Sequence, residues 1–189
     1  MLHSPRISLT VKLGGKGMAE TARIADMFEQ TFEGKPYHGP SVLASLEHVC
    51  AEHAARKTAG AHSIWELVTH LTGELDYARA LLQGNAEPWI EGETTWRAVT
   101  NTSAAAWRAT IEDLKRANRA LVDAIRHLDD SILSEKAGAV DRQYYMVLHG
   151  TMQHNIYHSG QISLLSRQIA QADSEVASDP IHGATRESD

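Results

Sequence analysis

Apolar residues recur along most of the chain at alternating spacings of three and four, the period of an α-helix with one buried face. The first such stretch runs from Ala19 to Phe32 and puts Ile24, Phe28 and Phe32 on one side; Gly34, Pro36, Gly39 and Pro40 end it. A short helix is expected after Ser41 as N-cap, carrying Leu43, Leu46 and Val49. The second long helix starts at Ser63, which with Glu66 three residues later fits a capping box. Ile64, Val68, Leu71, Leu75, Ala78 and Leu82 form its seam, and Gly84 and Asn85 stop it. A loop with Pro88, Trp89 and Gly92 follows. The third helix begins near Thr102 or Ser103, with Trp107, Ile111, Leu114, Asn118, Leu121, Ile125 and Leu128 as its seam; Asp129, Asp130 and Gly138 fall in the loop beyond. The fourth runs from near Asp141 to about Ala170, with a stripe of Tyr144, Val147, Thr151, His154, His158, Ile162, Leu165 and Ile169.

No stretch alternates with period two, and no internal repeat is visible. Four long helices with modest loops predict an all-α fold, an antiparallel-type four-helix bundle whose connection order the pattern leaves open. The bundle is expected over residues 18–171. Residues 1–17 hold Gly14, Gly15 and Gly17 and no apolar core of signal-peptide length, so they read as a flexible extension; Met18 is an alternative start. Residues 172–189 are polar and read as a disordered tail.

Composition narrows the function. The 189 residues suit one domain, and 18 Lys and Arg against 24 Asp and Glu give a net charge of −6. An acidic chain without a basic stripe argues against nucleic acid as a partner. No apolar run has the length of a membrane span. The single Cys50 cannot form an internal disulfide, which fits a reducing, cytoplasmic setting. Exposed apolar helix surface makes a homodimer an open expectation. Histidine is over-represented, with 11 against two Phe.

Two of these histidines lie where a core places Leu or Ile. His154 and His158 are four apart, about 40° around a helix and one turn along it, so both imidazoles can reach one metal ion. Burying them without partners costs a few kcal/mol, on the order of other polar burials. Two readings stay open: a metal pair, or core histidines bonded to backbone or water. His48 and His53, and His149 and His154, are five apart, about 140° around a helix, and are poorer pairs. Asn155 follows His154, so the HExxH motif is absent. No Glu lies three residues before any His, which disfavours a di-iron site. A third ligand is needed, and His70, at the edge of the second helix's apolar arc, is the best candidate; alone it reads as a boundary histidine.

His70 within HSIWELVTHL and the later run LHGTMQHNIYHSGQISLL resemble the DinB/YfiT-like superfamily of metal-binding four-helix bundles, over roughly residues 19–170. The shared pattern is one His late in the second-helix motif, then His-x-x-x-His-x-Gly-Gln on the last helix. It falls on His70, His154, His158, Gly160 and Gln161. The resemblance implies one divalent ion per chain on His70, His154 and His158, zinc or nickel foremost, with iron and manganese open. Three neutral imidazoles leave such an ion its full charge, able to acidify a bound water or thiol.

Around the site, Gln161 shares the face of His154 and His158 and is expected to bond a ligand or orient an imidazole; a buried Gln bonding a neighbouring helix is the other reading. Glu74, one turn after His70, is a candidate general base or a partly solvated edge carboxylate. Glu66 is explained by the capping box. Tyr157 is expected to donate a hydrogen bond near the site or to pack. Trp65, Trp89, Trp96 and Trp107 are candidates for a pocket wall, Trp107 more simply for the core. Three functions follow. Relatives of this type suggest transfer of a low-molecular-weight thiol to a small-molecule electrophile. The same ligands would serve a hydrolase using activated water. The third is a non-catalytic metal-binding bundle.

Overall fold

The computed structural model describes residues 17–58, 62–86, 96–138 and 140–178. Its first helix, α1 (Glu20–Glu33), buries Ile24, Phe28 and Phe32, the expected face, with Thr21, Ala25 and Thr31 beside them. Its N-terminus is capped from a distance. The Asp130 carboxylate, in the loop after the third long helix, accepts from the Glu20 and Thr21 backbone N–H groups at 2.9 Å each. These contacts favour the charged form and hold the Asp130 carboxyl below its ordinary range. Phe32 and Thr31 then receive the returning chain, their carbonyls accepting from Leu43 and Val42 N–H.

The short element after Ser41 is a 3-10 turn, Ala44–Leu46, with Ser41 Oγ accepting from the Ala44 N–H. A helix of five residues, α2 (Ala51–Ala55), follows. Next, α3 (Ile64–Leu82) opens with the complete capping box: Ser63 Oγ accepts from Glu66 N–H at 3.2 Å, and Ser63 N–H donates to the Glu66 carboxylate at 2.9 Å. It closes on a Schellman motif, with Asn85 N–H donating to Ala80 C=O and Gly84 N–H to Leu81 C=O. Gly84 sits at φ +71°, a left-handed conformation that favours glycine. Ser63→Ala is expected to lower unfolding free energy by about 1 kcal/mol, the usual worth of an N-cap, in a denaturant titration.

The third long helix is α4 (Ala104–Arg126), and Ser103 rather than Thr102 is its cap, accepting from Ala106 N–H. Trp107, Leu114, Asn118, Leu121 and Ile125 of the expected seam are buried, while Ile111 is only partly covered. A 3-10 stretch, Asp130–Ser134, leads to α5 (Tyr144–Ser178).

Both ends of α5 differ from the sequence reading. It starts at Tyr144, not near Asp141, because the preceding residues are folded back. An isolated antiparallel bridge pairs Lys136 with Gln143, and Tyr144 N–H donates to Glu135 C=O. It continues past Ala170 to Ser178, so residues 172–178 of the expected loose tail are helical. Two features extend it. Gln171 donates to the Glu175 carboxylate one turn along, and Asp173 pairs with both Arg56 and His53 on the α2 side. The buried arc is also wider than the expected stripe. Leu148, Met152, Asn155 and Ser159 join it, since α5 packs against both α1 and α3.

The four long helices pack in a ring, α1 against α4, α4 against α3, α3 against α5, and α5 against α1. One continuous apolar core fills it. The protein is all-helical over the described residues, and no helix among them is long and apolar enough to cross a membrane. The expected N-terminal extension up to residue 16, the loop of Pro88, Trp89 and Gly92, and the tail from residue 179 lie outside the described residues.

Candidate metal centre

The α3–α5 contact brings the three sequence-selected histidines to one point. His70 comes from the middle of α3, and His154 and His158 lie on successive turns of α5. His154 Nε2 is 3.1 Å from His70 Nε2 and 3.0 Å from His158 Nε2. One ligand atom from each residue lies within 4.8 Å of the others. His70 is 5% exposed, well inside the boundary position its seam suggested, and His158 is equally buried. His154 is half-buried.

The donor set fits a divalent ion. Nitrogens at 2.0–2.1 Å from a tetrahedral zinc are about 3.3 Å apart, close to the two separations observed. Three nitrogen donors and no thiolate suit zinc, nickel, copper or iron, and the geometry does not choose among them. The two α5 imidazoles are also held in the protonation state a metal needs. Burial pushes His154 down to about 4, helped by the neighbouring His158 and His70. Burial likewise lowers His158, partly offset by its bond to Gln161. Neutral imidazoles at pH 7 have no proton to lose before ligation.

Gln161 fills the role its spacing suggested. Its Oε1 lies 2.6 Å from His158 Nδ1, so the ring N–H donates there and the Nε2 lone pair faces the other two histidines. Glu74 also turns toward the site, its Oε1 3.9 Å from His70 Nε2. Burial pushes its carboxyl up to about 7. The structure leaves its side chain 20% exposed, so it is partly solvated as one sequence reading had it, and near His70 as the other had it.

Glu74 gives a signed pH prediction for the metal-free protein. Its folded pKa lies above the ordinary carboxylate value of about 4.5, so the folded state holds the extra proton and loses stability as pH rises from about 4.5 to about 7. His154 acts oppositely, gaining stability as pH rises from about 4 to about 6.5, but equally in parent and variant. Glu74→Gln in chelator is therefore expected to raise the melting temperature relative to the parent at pH 8 and to leave it nearly unchanged at pH 4.5. A variant less stable than the parent at pH 8 contradicts a carboxyl whose ionisation is opposed by burial.

The aromatic candidates divide. Trp65 is 3% exposed and belongs to the core, donating from Nε1 to Thr110 Oγ1, not to a pocket wall. Trp107 packs beside it at 5.0 Å and donates to Val49 C=O. Trp96 does stand at the site. Its ring stacks on His70 at 4.1 Å and 11°. Trp89 lies outside the described residues. Tyr157 is 62% exposed, its ring 5.0 Å from His158, so it does not pack inward as expected. His62 was not selected from sequence. It stacks on the far face of Trp96 at 3.6 Å, and only its position just before the capping box placed it near His70.

No family model, curated protein or solved structure matches this chain.

Proposed function

We propose that the chain is a DinB/YfiT-like four-helix bundle and a metal-dependent enzyme that transfers a low-molecular-weight thiol to a small-molecule electrophile. The observation that carries this reading is the convergence of three imidazoles, one of them oriented by Gln161, beside a largely buried carboxylate. Among the described residues the group is three histidines, without the fourth protein ligand that closes a structural zinc site. A divalent ion held there supplies positive charge that acidifies a thiol or a water at neutral pH.

The chain's own residues then have distinct tasks. His70, His154 and His158 hold the ion. Gln161 fixes the ring of His158 through Nδ1–H. Glu74, with its carboxyl near 7, accepts the nucleophile's proton at Oε1. In the transfer, the sulfur–carbon bond forms as the carbon–leaving-group bond breaks; the electron pair leaves with that group and the thiol proton goes to Glu74. A hydrolase is the second reading, favoured by the position of Glu74, since a carboxylate beside such a site can equally take a proton from water.

One assay separates them. Zinc- or nickel-loaded protein is incubated with an alkyl halide or epoxide, with and without cysteine-derived thiols, alongside activated esters. Thioether formation dependent on thiol, metal and Glu74 is the expected result. Ester hydrolysis without thiol points to the hydrolase instead, and neither activity in metal-loaded protein argues for the non-catalytic bundle.

A further inference from the structure

We infer that Trp96 is a positioning residue for the candidate metal centre, holding the His70 ring in the plane that ligation requires and reporting occupancy of the site. The inference rests on the three-histidine site being a metal centre. Three rings form a stack: His62 on Trp96 at 3.6 Å and 2°, and Trp96 on His70 at 4.1 Å and 11°. The indole also meets His158 edge-on at 6.1 Å and 82°. Trp96 thus stacks on one ligand and stands perpendicular to a second.

The geometry suits an imidazole ligand. A metal bond at Nε2 lies in the plane of the ring, so a plate on the ring's face fixes that plane without blocking the lone pair. Gln161 steers His158 through its second nitrogen; Trp96 steers His70 through its face. Ligation also strengthens the stack, because an imidazole that shares a cation's charge is drawn to the electron-rich face of an indole.

The plate is itself braced. His62 covers its outer face, and His62 Nδ1 is 3.7 Å from the Glu66 carboxylate. Glu66 is fixed by the capping box at the start of α3 and by Lys57 at 2.9 Å. The same α3 carries His70 one turn further on. Trp96, in the segment that leads into α4, is thereby stacked on a ligand carried by α3.

The test is zinc affinity, measured by competition with a chromogenic chelator, for the parent, Trp96→Ala, Trp96→Phe and His62→Ala. Trp96→Ala is expected to bind zinc about tenfold more weakly, in the range seen when a residue supporting a ligand is removed. Trp96→Phe, which keeps a stacking face, should recover most of the affinity. His62 is partly exposed, so His62→Ala should fold normally and lose affinity by a few-fold. Tryptophan fluorescence should change on zinc addition in the parent, saturating at one equivalent, and stay flat in Trp96→Phe while that variant still binds. Parent-like affinity in both Trp96→Ala and His62→Ala overturns the positioning role and leaves the metal centre intact. A parent that binds no zinc overturns the metal centre itself, and this role with it.

Discussion

His154→Ala is expected to abolish the thermal stabilisation that zinc or nickel gives the parent. His154 Nε2 lies between the other two ring nitrogens, at 3.1 Å from His70 and 3.0 Å from His158, so its removal splits the ligand set. An ion that binds only the folded chain stabilises it by about 4 kcal/mol when present at about a thousand times its Kd. For a chain of this size, each kcal/mol moves the melting temperature by about 2–4 °C, so the parent should gain roughly 8–16 °C. The variant should gain almost nothing. Its metal-free melting temperature should stay near the parent's, because His154 is only half-buried and its Nδ1 has no hydrogen-bond partner among the described residues. Differential scanning fluorimetry with and without metal reads both quantities. An undiminished metal-induced shift in the variant counts against the assignment.

Gln161→Ala is expected to weaken metal binding by about 10- to 100-fold, the usual cost of removing the partner of a ligand's second nitrogen. The Gln161 carbonyl oxygen takes the Nδ1 proton of His158 at 2.6 Å, which leaves Nε2 as the donor and fixes the ring's rotation. Without it, the ring samples the other tautomer and other orientations, and binding must pay for their loss. Gln161→Glu supplies a stronger acceptor at the same place and should retain or improve affinity. If Gln161 merely packed against a neighbouring helix, both variants would leave affinity unchanged. Calorimetric titration at pH 7.5 distinguishes these outcomes.

Much of this architecture was legible because local chemistry wrote it into short windows. Ser63 and Glu66 specify the start of α3 within four residues, and Gly84 its end. The spacing of His154, His158 and Gln161 places them on one face of any helix. The assignment of His70 needed more, since its distance to α5 is a tertiary fact; its place on the apolar arc pointed inward, and the resemblance supplied the pairing.

The rest depended on contacts between distant segments. Residues 172–178 look like a tail by composition, and their helix is held by Asp173 against Arg56 and His53, more than a hundred residues away. The Trp96 stack joins residues from two sides of a loop, which no periodicity encodes. Asp130 as the cap of α1 is of the same kind: a carboxylate after α4 satisfies N–H groups at the start of the first helix.

The most direct test is the metal content of protein purified without affinity tag or chelator, by elemental mass spectrometry, beside His70→Ala and His154→Ala. The account predicts about one divalent ion per chain in the parent and loss of that ion in both variants. A parent without metal even after reconstitution, or variants that keep it, would contradict the three-histidine centre.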